Sequence, residues 1–423
     1  MSIMPNKTNH WCVLPWNHFS ADASGHARPC CINEYFKIPH HMHRLANITN
    51  STGIDWFNGE MQKELRRTMI AGKRHNTCSR CWMIEDGGGE SWRQTFNKTF
   101  SELSTDKMKE LTNPDGSIKP EFVIEYVDIQ LGNKCNLRCR MCNPWSSSLW
   151  ANDVKQHPEL NLWNVELTED FEWFKDPNVL KEKIYPLLST IKRINFVGAE
   201  PFLVDEFYII LEKLINLGRA NEVAVSFNTN LTVFNDRLKN LLKHFKRVGF
   251  SMSIDGYKEL NEYMRYPVKW KRWIKNTRAV QEWKGANIDS NLHCTFGMYN
   301  ILHLDKFIKW CADTDLGTTS AFPFFIYISQ PDYQDPIHLP GDLKKIAKER
   351  ILDAIHYFEI HHGKTSIENK HINVLLSYLD QFEKHGSEEE WDIFVKNAND
   401  LDRIRNQDIL SIVPEFKKYW KYE

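Results

Sequence analysis

Between residues 120 and 335 of the 423-residue chain, short β-branched runs alternate with stretches of helical periodicity. Residues 123–131, 193–197, 222–227, 247–254, 287–295 and 318–325 read as strands. In the first of these, Val127, Ile129 and Leu131 share one face of a period-two pattern. Residues 145–154, 206–217, 235–244, 270–283 and 304–312 read as helices between them, with Pro144 opening the first. Strand–helix alternation of this kind predicts an α/β fold, a parallel sheet with helices on its outside. Six such units fall short of a closed eight-fold ring, so the expectation is a partial (β/α)6 barrel over 120–335. Residues 1–115 are loop-rich and form a separate candidate domain. Residues 336–423 read as helical, with a capping box at Ser387 and Glu390. Residues 157–176 look like an insertion, either a lid or a surface loop.

Composition changes this picture little. Hydrophobic residues make up 42% and charged residues 26%, ordinary for a globular protein. The formal net charge of −1 gives no global field for nucleic acid or an anionic membrane. No apolar run reaches the length of a membrane span, and residues 1–15 lack a signal-peptide core, so a cytoplasmic location is expected.

The ten cysteines change it more. They cluster at metal-ligand spacing, which in a chain of this type argues for thiolate ligands over disulfides. Cys135, Cys139 and Cys142 follow the first strand at the spacing C-x3-C-x2-C. Three such sulfurs can wrap one cubane iron–sulfur cluster and leave its fourth iron open. The same thiols could instead hold zinc with a fourth ligand from elsewhere. In parallel barrels ligands bind at the C-terminal ends of the strands, which is where this loop falls.

Four motifs at successive strand ends carry a resemblance to a known family. The cysteine loop comes first. Gly198-Ala199-Glu200-Pro201 resembles the GGEP motif, with alanine in place of the second glycine. Asn228-Thr229-Asn230 resembles a T-N-G segment, with Asn230 where glycine is usual. Ser253 and Asp255, in Ser-Ile-Asp-Gly256, resemble an S-x-D-G motif. Together they resemble the radical S-adenosylmethionine (SAM) superfamily. The resemblance implies that Gly198, Ala199, Glu200 and Asn228 line the SAM site. Glu200 would take its ammonium by charge-assisted hydrogen bonding. Ser253 would face the ribose or methionyl part, Asp255 would shape its loop, and Arg265 would pair with the carboxylate through its fork. Met141 stands where an aromatic often lies beside the adenine.

Cys12, Cys30, Cys78 and Cys81 resemble the ligands of a twitch or SPASM-like auxiliary domain, here ahead of the barrel rather than after it. The four would hold a second 4Fe–4S cluster, and zinc remains open on ligand type alone. Cys31 could substitute for Cys30. The glycines of residues 87–89 read as a hinge between modules. His40, His41 and His43 read as solvated, and Cys294 and Cys311 as core residues.

The resemblance implies reductive cleavage of SAM and removal of hydrogen from a substrate C–H bond, with oxidation or cross-linking of a peptide or protein, or dehydrogenation of a small molecule, as the outcome. A flavodoxin or ferredoxin would be the reductant, and no membrane or nucleic-acid partner is expected. Two alternatives stand beside it: a non-catalytic iron–sulfur or zinc protein on a decayed scaffold, and an RNA-modifying radical enzyme. Glu200, Ser253 and Arg265, all present, weigh against the first, and the neutral charge against the second.

Overall fold

The computed structural model describes residues 10–32, 47–51, 53–119, 123–162, 171–363 and 365–421. His40, His41, His43 and part of the 157–176 insertion lie outside the described residues. Eight strands form one sheet: β1 (His18–Ala21), β2 (Ala27–Arg28), β3 (Tyr126–Ile129), β4 (Arg193–Phe196), β5 (Ala224–Thr229), β6 (Arg247–Ser253), β7 (Ile288–Phe296) and β8 (Ser320–Tyr327). Their order is β2-β1-β3-β4-β5-β6-β7-β8. From β1 through β8 the neighbours are parallel, and only β2 runs antiparallel. The six expected strands are therefore present as a partial barrel. Two more, absent from the sequence-based expectation, come from the N-terminal region and extend its edge. At two and four residues, they are too short to leave a periodic signal.

The strands alternate, and the apolar face is the outer one. On β5, Val225 and Phe227 are buried while Ala224, Ser226 and Asn228 are half-buried. Ile194, Phe196, Val248, Phe250, Leu292, Cys294 and Phe296 are likewise buried. The helix Asp205–Asn216 covers this face with Phe207, Ile210, Leu211 and Leu214. Phe227 meets Phe202 and Phe250 edge-on, with ring centroids 4.9 and 4.8 Å apart. The inner face is mixed, with Val197, Phe324 and Ile326 among its polar side chains. Asp128, Asn195, Ser226, Asn228, Ser251, Asn291 and His293 line a lumen cavity of about 380 Å³.

The N-terminal region is bound to the barrel edge by more than β1. The Asn17 side chain accepts from the Glu125 amide at 3.0 Å, and Trp173 Nε1 donates to the Ala23 carbonyl at 3.1 Å. Arg66, fully buried, donates from Nε to the Gly116 carbonyl at 2.8 Å. The glycines at 87–89 do not form a free hinge. A Cβ on Gly87 would stand 2.7 Å from that of Ser377, so the segment is packed against the helix Ser366–Leu379. The helix after Pro144 begins later than expected, at Ser148, because the Ser147 hydroxyl caps it. Ser387 does cap the helix Glu388–Arg405, but its backbone amide donates to His338 at 2.9 Å rather than to Glu390, so the box is half formed.

Phe227→Ala should lower stability by about 3–5 kcal/mol in a denaturant titration, because the ring fills a fully buried aromatic cluster. Ser251→Ala, on the lumen face of the adjacent strand, should change it by no more than about 0.5 kcal/mol.

Candidate active site

Parallel strands joined by outer helices bring every strand's C-terminal end to one rim, and the sequence motifs meet there. The cysteine loop leaves β3 and is held from several sides. The Arg138 and Arg140 amides donate to the Tyr266 and Met264 carbonyls, each at 2.8 Å. Trp150 Nε1 donates to the Cys139 carbonyl at 2.7 Å, and the Leu137 amide points at Cys135 Sγ at 3.4 Å. Burial and their mutual proximity push the thiols up, Cys135 to about 12 and Cys142 further. Coordination by a metal would displace these protons to solvent and leave thiolates, the ligand form an iron–sulfur cluster uses.

Glu200 lies in the turn after β4 with its carboxyl group fully buried. Its amide donates to the Lys134 carbonyl at 3.1 Å, which ties this strand end to the cysteine loop. Its side chain accepts from the Thr229 hydroxyl at 2.8 Å and the Asn230 amide at 2.7 Å. Asn230 then bridges to the loop: its Nδ2 lies 2.9 Å from Asn136 Oδ1 and 3.8 Å from Cys135 Sγ. Thr229 and Asn230 thus do more than the sequence motif suggested. Asparagine adjoining a strand-end threonine was the visible signal, and its partners were not.

Two glycine departures have different outcomes. Gly198 and Ala199 both adopt positive φ, 67° and 48°. A side chain at Gly198 would collide with Gln130, while Ala199 carries its Cβ in the left-handed region. The departure at Ala199 is therefore strained, by about 1–2 kcal/mol. At the second motif the left-handed residue is Leu231, φ 53°, rather than Asn230. The Thr229 hydroxyl accepts from the Leu231 amide at 2.9 Å and steadies that turn.

Asp255 is fully buried beyond β6 and accepts from the Thr295 amide at 2.8 Å. Its other oxygen holds Arg265, so in this structure the fork expected to face a carboxylate faces Asp255. Ser253 and Met141 are half-buried near the same rim, and Asn228 lines the lumen below it. Cys294 and Cys311 are core residues as expected.

At the other end of the lumen, Cys12, Cys30, Cys78 and Cys81 line one small pocket with Arg80, Trp92 and Arg93. Cys30 and Cys31 part company here. Cys30 faces that pocket, whereas Cys31 lines the lumen and hydrogen-bonds Asp128, whose own carboxyl burial raises to about 6. Among the described residues, no three His, Cys, Asp or Glu side chains close around a single ion-sized point. No helix among them is long and apolar enough to cross a membrane.

With this geometry in view, the comparisons with known proteins agree in kind. Residues 129–311 match the Radical SAM superfamily, and residues 12–82 match SPASM, an iron–sulfur cluster-binding domain. The chain therefore carries a radical SAM superfamily domain preceded by a SPASM-like domain. Among solved structures, Streptococcus suis SuiB bound to precursor peptide SuiA is 13% identical, covering 70% of this chain and 64% of that one, with a TM-score of 0.37. Native anSMEcpe with bound AdoMet is 18% identical, covering 54% of this chain and 59% of that one, also at 0.37. The chain thus spans less than two thirds of the length of either. No curated protein sequence matches it.

Ala199→Gly should stabilise the chain by about 1 kcal/mol, read from its unfolding midpoint, by relieving the left-handed alanine. Glu200 supplies a pH test. Burial raises its carboxyl from 4.5 to about 7, so the folded ligand-free chain holds a proton that the unfolded chain has lost. Its contribution is complete below the unfolded value and is lost as pH rises through about 7, at most ~3 kcal/mol. The stability of wild type relative to Glu200→Gln should therefore fall between about pH 5 and about pH 8, and a flat difference would contradict a buried protonated Glu200.

Proposed function

We propose that this protein cleaves SAM reductively and removes hydrogen from a C–H bond of a peptide or protein held in the barrel lumen. The observation that carries this reading is the join at the rim. A buried carboxylate, Glu200, shares Asn230 with the three-cysteine loop, so an ammonium bound by one stands beside a metal group bound by the other.

Cys135, Cys139 and Cys142 would hold a 4Fe–4S cluster, whose one-electron reduction of the SAM sulfonium yields methionine and a 5′-deoxyadenosyl radical. The protein's own side chains bind and orient. Glu200 accepts the SAM ammonium, and the arrival of that cation favours the ionised carboxylate over the buried protonated one. Arg265 turns its free edge toward the SAM carboxylate while Asp255 keeps the guanidinium in place. Gly198 and Ala199, in their left-handed backbone, let the strand end approach the ligand closely. Ser253 and Met141 flank the ribose and adenine.

The lumen supports the substrate class. Asn195, Asn228 and Asn291 present primary amides, each both donor and acceptor, to a cavity large enough for a residue or two of a peptide. Peptide bonds offer the complementary pair of groups. Cys12, Cys30, Cys78 and Cys81 would hold a second 4Fe–4S cluster at the far end, which would accept the electron that the substrate radical gives up as it becomes the oxidised product. Four thiols lining one pocket are the donor set of a 4Fe–4S cluster or of zinc, and the match of residues 12–82 to an iron–sulfur cluster-binding domain favours the cluster. A flavodoxin- or ferredoxin-type donor would supply the reducing electron.

The test is release of 5′-deoxyadenosine from SAM by the full chain, reconstituted anaerobically with iron and sulfide and then reduced. Release is expected in wild type and should fall to background in Cys139→Ala. Release that survives Cys139→Ala, or a wild type that takes up no iron at these cysteines, would overturn the proposal.

A further inference from the structure

The cysteine loop is gripped from behind by the last long helix, Glu388–Arg405, a part of the chain that carries no recognised motif. Arg140, between the second and third cysteines, is 1% exposed. Its guanidinium lies 3.6 Å from the centre of the Tyr263 ring, pairs with Asp402 and donates to Gln407 at 3.0 Å. Asp402 is itself fixed, accepting from the Ile409 amide at 2.7 Å. Arg138 pairs with Asp153 on the helix Ser148–Gln156. Arg405 reaches the same Asp153 at 3.4 Å, with its guanidinium 5.0 Å from the centre of the Trp150 ring. Trp150 in turn holds the Cys139 carbonyl.

The charges in this layer do not cancel. Three guanidiniums, Arg138, Arg140 and Arg405, meet two carboxylates, Asp153 and Asp402. The unpaired donors are spread over the layer, with Arg138 Nε, Arg140 Nη1 and Arg405 Nε and Nη1 all buried without a hydrogen-bond partner, and Arg405 carries two of these four atoms. Burial and the nearby Arg140 lower its pKa only to about 10, so it stays charged at neutral pH. An uncompensated buried cation is costly unless an anion completes the site. Arg405 reaches the loop through the Trp150 ring, whose indole N–H is bonded to the Cys139 carbonyl. A three-thiolate iron–sulfur group there carries net negative charge, and one unit more when reduced.

We propose that Arg405 is a positioning residue that stabilises the reduced form of the group at Cys135, Cys139 and Cys142 and so raises its reduction potential, while Asp402 opposes it through Arg140. The inference rests on the proposed function, because it presumes an iron–sulfur group at those thiols. It goes further in giving the C-terminal helix a role in the redox chemistry. Net charge near a cluster is one of the levers that set its potential, and Coulomb attraction in a buried layer is weakly screened.

The experiment is a potentiometric titration, followed by electron paramagnetic resonance, of the anaerobically reconstituted full chain, with iron content measured alongside. Four proteins are compared: wild type, Arg405→Gln, Arg405→Lys and Asp402→Asn. The expected result is a more negative midpoint in Arg405→Gln at unchanged iron content, a wild-type midpoint in Arg405→Lys, and a more positive midpoint in Asp402→Asn. Opposite shifts cannot come from a general loosening of the loop, which would move both variants the same way. An unmoved midpoint in a loaded Arg405→Gln, or shifts of one sign, overturns this inference and leaves the proposed function standing. Should Arg405→Gln fail to fold, Asp402→Asn decides alone, and a midpoint that does not rise overturns the inference. A wild type without iron at these cysteines overturns both.

Discussion

Parallel strands joined by helices on one side must all finish at the same rim, and this constraint orders the whole molecule. Because β3 through β6 run in one direction, the turns after them converge, and residues from 135 to 265 become neighbours. The strand ladder also decides which side chains see the lumen. Alternation sends Phe196, Phe227 and Phe250 outward under helices and leaves Asn195, Asn228 and Ser251 facing in. A barrel lined with apolar side chains would pack shut. This one keeps a cavity of mixed lining, into which the strands turn Asp128, Asn195, Asn228 and Asn291.

The site is built from buried polar groups that hold one another. Glu200 is held by Thr229 and Asn230, Asp255 by Arg265 and the Thr295 amide, and Arg140 by Asp402 and Gln407 through one of its terminal nitrogens. Glu200 and Asp255 each fix backbone at a neighbouring strand end, at Asn230 and Thr295, while Asp402 fixes the Ile409 amide. Such networks rigidify a site when every member is paired, and they show where a ligand is expected when one is not. The unpartnered atoms of Arg405 and the strained Ala199 are both of that second kind. Both lie within reach of the cysteine loop or the turn beside it.

The N-terminal region and the C-terminal helices differ in how they meet the barrel. The first joins through backbone, β1 pairing with β3, so the pocket of Cys12, Cys30, Cys78 and Cys81 is held rigidly at one end of the lumen. The second joins through side chains, with ion pairs and aromatic faces clamping the loop at the other end. The lumen cavity and the far pocket share Ile32, Arg80 and Trp92 in their walls.

The sequence by itself determined the elements and the order of the chemistry. Six runs with period two, helical stretches between them, and cysteines at C-x3-C-x2-C are local patterns, set by backbone geometry and readable within ten residues. Cys294 and Cys311 were legible as core for the same reason. What only the tertiary structure decided depends on residues far apart in the chain. Cys30 and Cys31 are neighbours with equal claims until the fold turns one to the pocket and the other to Asp128. Arg265 reads as a free fork until Asp255 is seen beside it, and Asn230 reads as a substitute glycine until its amide is seen at Cys135. Arg140 and Asp402 stand 262 residues apart, and no local period connects them. Faces and turns follow from nearest neighbours along the chain, whereas the pairing of buried charges follows from which segments the folded core brings into contact.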